Sequence, residues 1–186
     1  MAAMYSTNEK KFLLSLARRA IENYLATKEI LKINKVKYEK FKEEKGTFVT
    51  LYKNKELRGC IGNIIPNGPI YKGVIRNAVN SAFNDARFPP LIKEELKDIK
   101  IEISILTLPE KIDFDSKEKL LEKLTKKDGV ILKNGSKSAT FLPQVWSHFS
   151  NKVDFLKNLC MKAYLPINAW EDLRTEIYIY KIDIIK

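Results

Sequence analysis

The sequence predicts an α+β fold, a mainly antiparallel β-sheet with helices packed against it. Three observations lead there. Strand-like segments come in pairs joined by two-residue turns, at Asn54-Lys55 and at Asn134-Gly135. Single amphipathic helices separate those pairs. Nowhere does the chain show the regular strand–helix repeat from which parallel sheets are built.

Each element has a local reason. Ser6-x-x-Glu9 has the form of a capping box, and Phe12, Leu13, Leu16, Ala17, Ala20, Ile21, Tyr24 and Leu25 follow at helical spacing. A first helix therefore runs to about Thr27. A basic, irregular connector spans 28–46 and is the one candidate boundary within the chain. Residues 47–53 alternate as a strand, turn at Asn54-Lys55, and return as a second strand over 56–61. Pro66-Asn67-Gly68-Pro69 is a turn that launches a helix with Ile70, Val74, Ile75, Ala78, Val79, Ala82 and Phe83 on its apolar face. Phe88-Pro89-Pro90 stops that helix, because proline lacks the N–H and clashes with the preceding turn.

Residues 99–108 then read as a strand with Ile101, Ile103 and Ile105 on one face. Asp115-x-x-Glu118 opens a short helix through Leu124. Residues 130–133 and 136–141 flank the Asn134-Gly135 turn. A helical turn is expected over 143–148, a helix over 153–163, and a closing strand over 175–183. No internal repeat or low-complexity linker interrupts this order. The whole of 1–186 reads as one domain.

Composition narrows the function classes. The chain is 186 residues long, 45% hydrophobic and 31% charged, which is a globular balance rather than a disordered one. No apolar run approaches the ~18 residues of a membrane helix. The first residues lack a basic stretch followed by an apolar one, so a cytoplasmic protein without a membrane partner is expected. The net charge of +11 permits nucleic-acid contact, although a solvated lysine surface is the simpler explanation. Lysine alternates with glutamate and isoleucine, a pattern that suits a thermophile or an AT-rich genome.

Cys60 and Cys160 are too distant in sequence to suggest a structural disulfide in a cytosolic chain. With His148 as the single histidine, no zinc-binding spacing exists, and no metal site is expected. No paired carboxylates stand out either. Glu43-Glu44 and Glu94-Glu95 are adjacent rather than facing, in lysine-rich segments that read as solvated.

The most informative segment is Leu57-Arg58-Gly59-Cys60-Ile61-Gly62. In a regular strand Arg58, Cys60 and Gly62 share one face. A guanidinium beside a thiol favours the reactive thiolate, and Gly59 and Gly62 let a ligand or another backbone come close. The same pattern also describes an inert thiol in a strand bent at its glycines. Gly59-x-x-Gly62 has the form of the GxxG loop of RNA-binding KH modules, but that loop joins two helices and this one follows a strand. Neither common phosphate-loop pattern is present.

Farther along, Asn77, Asn80 or Ser81, and Asn84 form an uncharged polar stripe on the second helix. It either lines a polar cleft or faces water. Asp85 and Arg87 stand at that helix's end, where they can pair with each other, cap backbone or contact an anion. Gln144 follows Pro143 where strand gives way to helix. There it can orient a ligand or bond to loop backbone. His148 reads as a surface or packed residue, and Cys160 as a buried core thiol.

Four segments carry a family resemblance. "FVTLYKNKELRGCIGNI" resembles the signature of the AMMECR family, whose hallmark is L-R-G-C-I-G. "NAVNSAFNDARFPPL" is similar to the family's N-A…A-F-x-D-P-R-F-P-P stretch. "ATFLPQVW" matches T-F-L-P-Q-V-W, and "FLKNLCMKAYLP" resembles F-L-x-x-L-C-x-K-A-G-L. Two departures stand out: Ala86 where the family has Pro, and Tyr164 where it has Gly. The resemblance implies an α+β fold with a larger and a smaller lobe. It fixes neither reaction nor cofactor. It implies a protein partner in a Memo-like or radical-SAM modification pathway, and more loosely a nucleic-acid or translation role.

The candidate site is therefore Arg58, Gly59, Cys60, Gly62, Asn77, Asp85, Arg87 and Gln144, with Cys60 the candidate catalytic residue. Three functions are open: a partner-dependent adaptor, a small enzyme with Cys60 and Arg58 in a cleft, and a nucleic-acid binder.

Overall fold

A computed structural model describes residues 5–186. It has the α+β architecture that the sequence predicts, arranged as two compact units. The first comprises 5–106 and Asp183–Lys186, and the second Thr107–Ile182. The division thus falls after residue 106, and the 28–46 connector lies within the first unit.

In the first unit, helix α1 (Thr7–Thr27) begins at the expected capping box, with Ser6 and Glu9 bonded reciprocally. Strands β1 (Thr47–Lys53) and β2 (Glu56–Asn63) are joined by Asn54 and Lys55, both at positive φ, as a tight hairpin turn requires. Helix α2 (Ile70–Phe83), strand β3 (Ile99–Leu106) and strand β8 (Ile182–Ile185) complete this half. The sheet order is β2-β1-β3-β8, which leaves β2 on an edge. Both helices pack on this sheet, and Leu13, Leu16, Ile70, Val74 and Ala78 meet Val49, Leu51 and Ile103 in one core.

The second unit holds β4 (Glu110–Ile112), α3 (Lys117–Lys123), β5 (Gly129–Asn134), β6 (Lys137–Phe141), α4 (Lys152–Lys162) and β7 (Glu176–Tyr180). Its sheet order is β4-β7-β5-β6, with antiparallel pairs throughout. Three details differ from expectation. Helix α3 is capped by the Ser116 hydroxyl rather than by Asp115. Pairing of Asn134 with Lys137 moves the hairpin turn one residue on, to Gly135-Ser136. The expected closing strand over 175–183 is split, because β7 and β8 belong to different sheets. No helix among the described residues is long and apolar enough to cross a membrane.

Candidate functional site

The hexapeptide strand is shaped by what lies against it. A Cβ at Gly59 would stand 2.0 Å from the Ser81 carbonyl oxygen, so α2 rests directly on the β2 backbone there. A Cβ at Gly62 would stand 2.2 Å from the Phe48 ring, which lies across that glycine from the neighbouring strand. Side chains at either position would push the helix or the ring away.

Arg58 does not sit beside the Cys60 thiol as simple alternation predicts. The pairing passes from Gly59↔Leu51 to Leu57↔Tyr52, which leaves Arg58 as the extra residue of a β-bulge. The bulge re-aims its side chain, which is buried (8% exposed). Arg58 donates from Nε and Nη2 to the two oxygens of Glu95, at 3.0 and 2.9 Å, and from Nη2 to the Pro89 carbonyl at 2.9 Å. Its Nη1 is buried with no hydrogen-bond partner among the described residues. Glu95, which the sequence places in a solvated segment, is therefore buried. It also accepts from Lys53 Nζ and the Ile92 N–H. The Arg58 guanidinium, aided by those donors, outweighs burial and holds the Glu95 carboxyl down to about 2.

The polar stripe of α2 divides in two. Asn77 is buried and donates from Nδ2 to the Thr47 carbonyl and hydroxyl and to Asn63 Oδ1. The buried Ser81 hydroxyl donates to the Val49 carbonyl at 2.7 Å and accepts from the Ile61 N–H at 2.8 Å. These two residues stitch the helix to both strands; they line no open cleft. Asn80 and Asn84 stand on the outer side and bond to each other.

At the end of α2, Asp85 and Arg87 act as one unit. Arg87 donates from Nε to Asp85 Oδ1 at 2.9 Å and from Nη2 to Oδ2 at 2.7 Å. Asp85 Oδ2 accepts the Cys60 N–H at 2.9 Å, and Arg87 Nη2 donates to the Cys60 carbonyl at 3.2 Å. The pair thus takes the place of a neighbouring strand on the open edge of β2 at Cys60. Arg87 is the main reason that the Asp85 carboxyl is held far below the usual carboxylate range. The Arg87 side chain itself remains 56% exposed, and the Arg87 and Arg58 guanidinium groups both approach the Phe88 ring, at 5.5 and 6.0 Å from its centroid.

Cys60 carries a free, partly exposed thiol whose Sγ lies 3.3 Å from Thr50 Oγ1. Arg58, Gly59, Cys60, Gly62, Asn77, Asp85 and Arg87 therefore belong to one region of the first unit. Thr47, Thr50, Ser81, Phe88 and Glu95 join them structurally. Thr47, Thr50 and Glu95 carried no sequence signal, because their partners are backbone groups or residues far along the chain.

Gln144 belongs to the second unit, in the 3₁₀ turn Pro143–His148. Its side chain is exposed, and its carbonyl accepts from the Ser147 hydroxyl. His148 is exposed. Cys160 is buried as expected, and burial pushes its thiol up from the ordinary range. The same turn sends Trp146 into the core, where its ring stacks on Phe155 at 3.5 Å and its Nε1 donates to the Asp128 carbonyl.

Comparison with known proteins settles the kinship. The AMMECR1 family model matches residues 14–185. The chain belongs to the AMMECR1 family. A protein of Methanopyrus kandleri is 35% identical over 99% of this chain and 91% of its own length. One from Methanocaldococcus jannaschii is 38% identical over 97% and 91%. The crystal structure of an uncharacterized protein from Pyrococcus horikoshii has a TM-score of 0.82 at 37% identity, covering 94% of this chain and 89% of that one. These AMMECR1 relatives come from thermophilic archaea, in keeping with the lysine- and isoleucine-rich composition, and none of their names specifies an activity.

The two departures from the family pattern differ in consequence. Ala86 is exposed in the turn between Asp85 and Arg87, and the ion pair around it forms without the usual Pro. Tyr164 occupies the left-handed region at φ 56°, just past the end of α4. The Leu165 N–H bonds back to the Cys160 carbonyl and the Tyr164 N–H to the Met161 carbonyl, which is a Schellman cap. Glycine suits that position; tyrosine is strained in it.

Proposed function

We propose that this AMMECR1-family chain works as a partner-dependent binding component, with its contact surface built on the open edge of β2. One observation carries the reading: Asp85 and Arg87 bond together across the Cys60 backbone with Asp85 buried, while Arg87, with Pro89, Pro90 and Leu57 and the half-buried Phe88, reaches the surface. Arginine and aromatic residues are enriched at the centres of protein interfaces. The polar groups beneath are committed to holding shape. Arg58 is bound to Glu95, and an Asp85 carboxyl held so low is a poor general base. The single histidine of the chain lies in the other unit. The family resemblance suggests a Memo-like or radical-SAM protein as the partner.

Isothermal titration of the full chain with the Memo-like and radical-SAM proteins of the same genome tests this. Binding is expected with one of them, weakened at least tenfold by Arg87→Glu and unchanged by Cys60→Ser. Loss of binding in Cys60→Ser with full retention in Arg87→Glu overturns it. A second reading keeps Cys60 as a nucleophile, favoured by its accessible thiol beside the Thr50 hydroxyl. Iodoacetamide kinetics separate the two: alkylation no faster than that of a model thiol rules out an activated nucleophile.

A further inference from the structure

The 28–46 connector takes no part in the β2 edge, yet it builds a second feature of the first unit. Where its Ile30–Ile33 stretch meets the start of α2, there is a groove of about 330 Å³. That volume lies at the lower end of the ~300–1,000 Å³ range of ligand sites. Ile30, Leu31, Ile33, Tyr71 and Ile75 supply its apolar lining. Ile75 is buried whereas Ile30 is 45% exposed, so the lining runs from the core out to solvent.

The other lining residues are Lys32, Lys72 and Arg76, and no acidic side chain is among them. On α2 the two kinds of residue form parallel rows. Tyr71 and Ile75 are four residues apart, as are Lys72 and Arg76, so each pair shares a helix face. In the connector, Lys32 stands between two apolar lining residues. Arg76 Nη2 donates to the Asn67 carbonyl at 2.9 Å, which steadies the guanidinium where it lines the groove. Three cations drawn around an apolar surface repel one another until an anion arrives. Apolar lining with cations beside it complements an apolar side chain flanked by carboxylates.

We propose that this groove binds a short acidic, amphipathic segment of a partner protein. Its leucine- or isoleucine-like side chains enter between the connector and α2, and its carboxylates meet Lys32, Lys72 and Arg76. The surface is separate from the β2 edge and stands whether or not the proposal for that edge holds.

Fluorescence anisotropy on the full chain tests it with two fluorescein-labelled peptides. Both carry Leu at i, i+3, i+4 and i+7; the remaining positions are Glu in one and Lys in the other. The Glu peptide is expected to bind and the Lys peptide not to. Added salt should weaken the Glu peptide's binding. The double variant Lys72→Glu/Arg76→Glu should lower affinity at least tenfold, as should the single surface change Ile30→Asp, with melting temperatures held close to that of the parent. Arg87→Glu should leave it unchanged. Equal binding of both peptides, no binding of either, or indifference to Lys72→Glu/Arg76→Glu overturns the proposal. So does tight laurate binding without peptide binding, which makes this an amphiphile site. A dimer in sedimentation that Ile30→Asp dissociates also overturns it, making the groove a self-association surface.

Discussion

The seam between α2 and the β1–β2 hairpin and the core of the second unit are both assembled from family motifs, by opposite means. The seam is polar although buried. Asn77, Ser81 and Asp85 bind strand backbone, and Arg58 binds Glu95. The second core is aromatic, with Trp146, Phe141 and Phe149 gathered around Phe155. Hydrogen bonds are directional and aromatic packing is much less so. The seam therefore fixes the position of the Cys60 strand to within bonding tolerance, whereas the second core supplies bulk stability. In the first unit the polar side chains of the family motifs hold an edge strand in place, whereas the T-F-L-P-Q-V-W block sends Phe141 and Trp146 into a core.

Substitutions can break that contrast, beginning with the largest effect. Trp146→Ala should cost the second unit about 3–5 kcal/mol, by loss of its stacked partner and creation of a cavity, measured by calorimetry. Gly59→Ala should cost about 3 kcal/mol and disturb amide NMR shifts along α2, because its methyl would meet helix backbone that cannot rotate away.

Acid sharpens the comparison from the other side. The Glu95 carboxyl, ordinarily near 4.5, is held down to about 2, so its contribution to stability is complete above about pH 5. It is lost as pH falls through that interval towards 2. Asp85 acts in the same direction. Glu95→Gln should melt below the parent at pH 7 by the equivalent of about 2–3 kcal/mol, with the two melting curves converging as acid protonates the parent's carboxylate. A constant gap across the whole pH range would contradict the buried pair.

Ser81→Ala should cost about 1–2 kcal/mol, since it strands the Val49 carbonyl and the Ile61 N–H together. The smallest change should be a gain. Tyr164→Gly relieves a left-handed tyrosine that is 86% exposed, and so should raise stability by about 1 kcal/mol in thermal melts.

How much of this was legible in the sequence depended on whether the signal was local. Helix α1 declares itself through its capping box and apolar spacing, and the β1–β2 hairpin through alternation and its turn. The Arg58 bulge leaves no such mark, so alternation alone put Arg58 beside the thiol. Asn77 and Ser81 read as part of a stripe that either lined a cleft or faced water, because the strand groups they bond to lie about thirty and twenty residues distant. Glu95 looked solvated because Arg58 is 37 residues away. Chain order likewise gave no sign that β7 and β8 would join different sheets across a single residue, Lys181. The periodicity there is continuous.

That last switch bears on the order of events during synthesis. Strand β3 leaves the ribosome early, but its outer neighbour β8 is translated only after every element of the second unit. Such a long-separated pairing raises contact order and slows closure of the first sheet. The second unit, whose contacts fall within one continuous stretch, can fold while the β3 edge is still open. A nascent chain paused before residue 182 would present that unpaired edge to chaperones or to other chains.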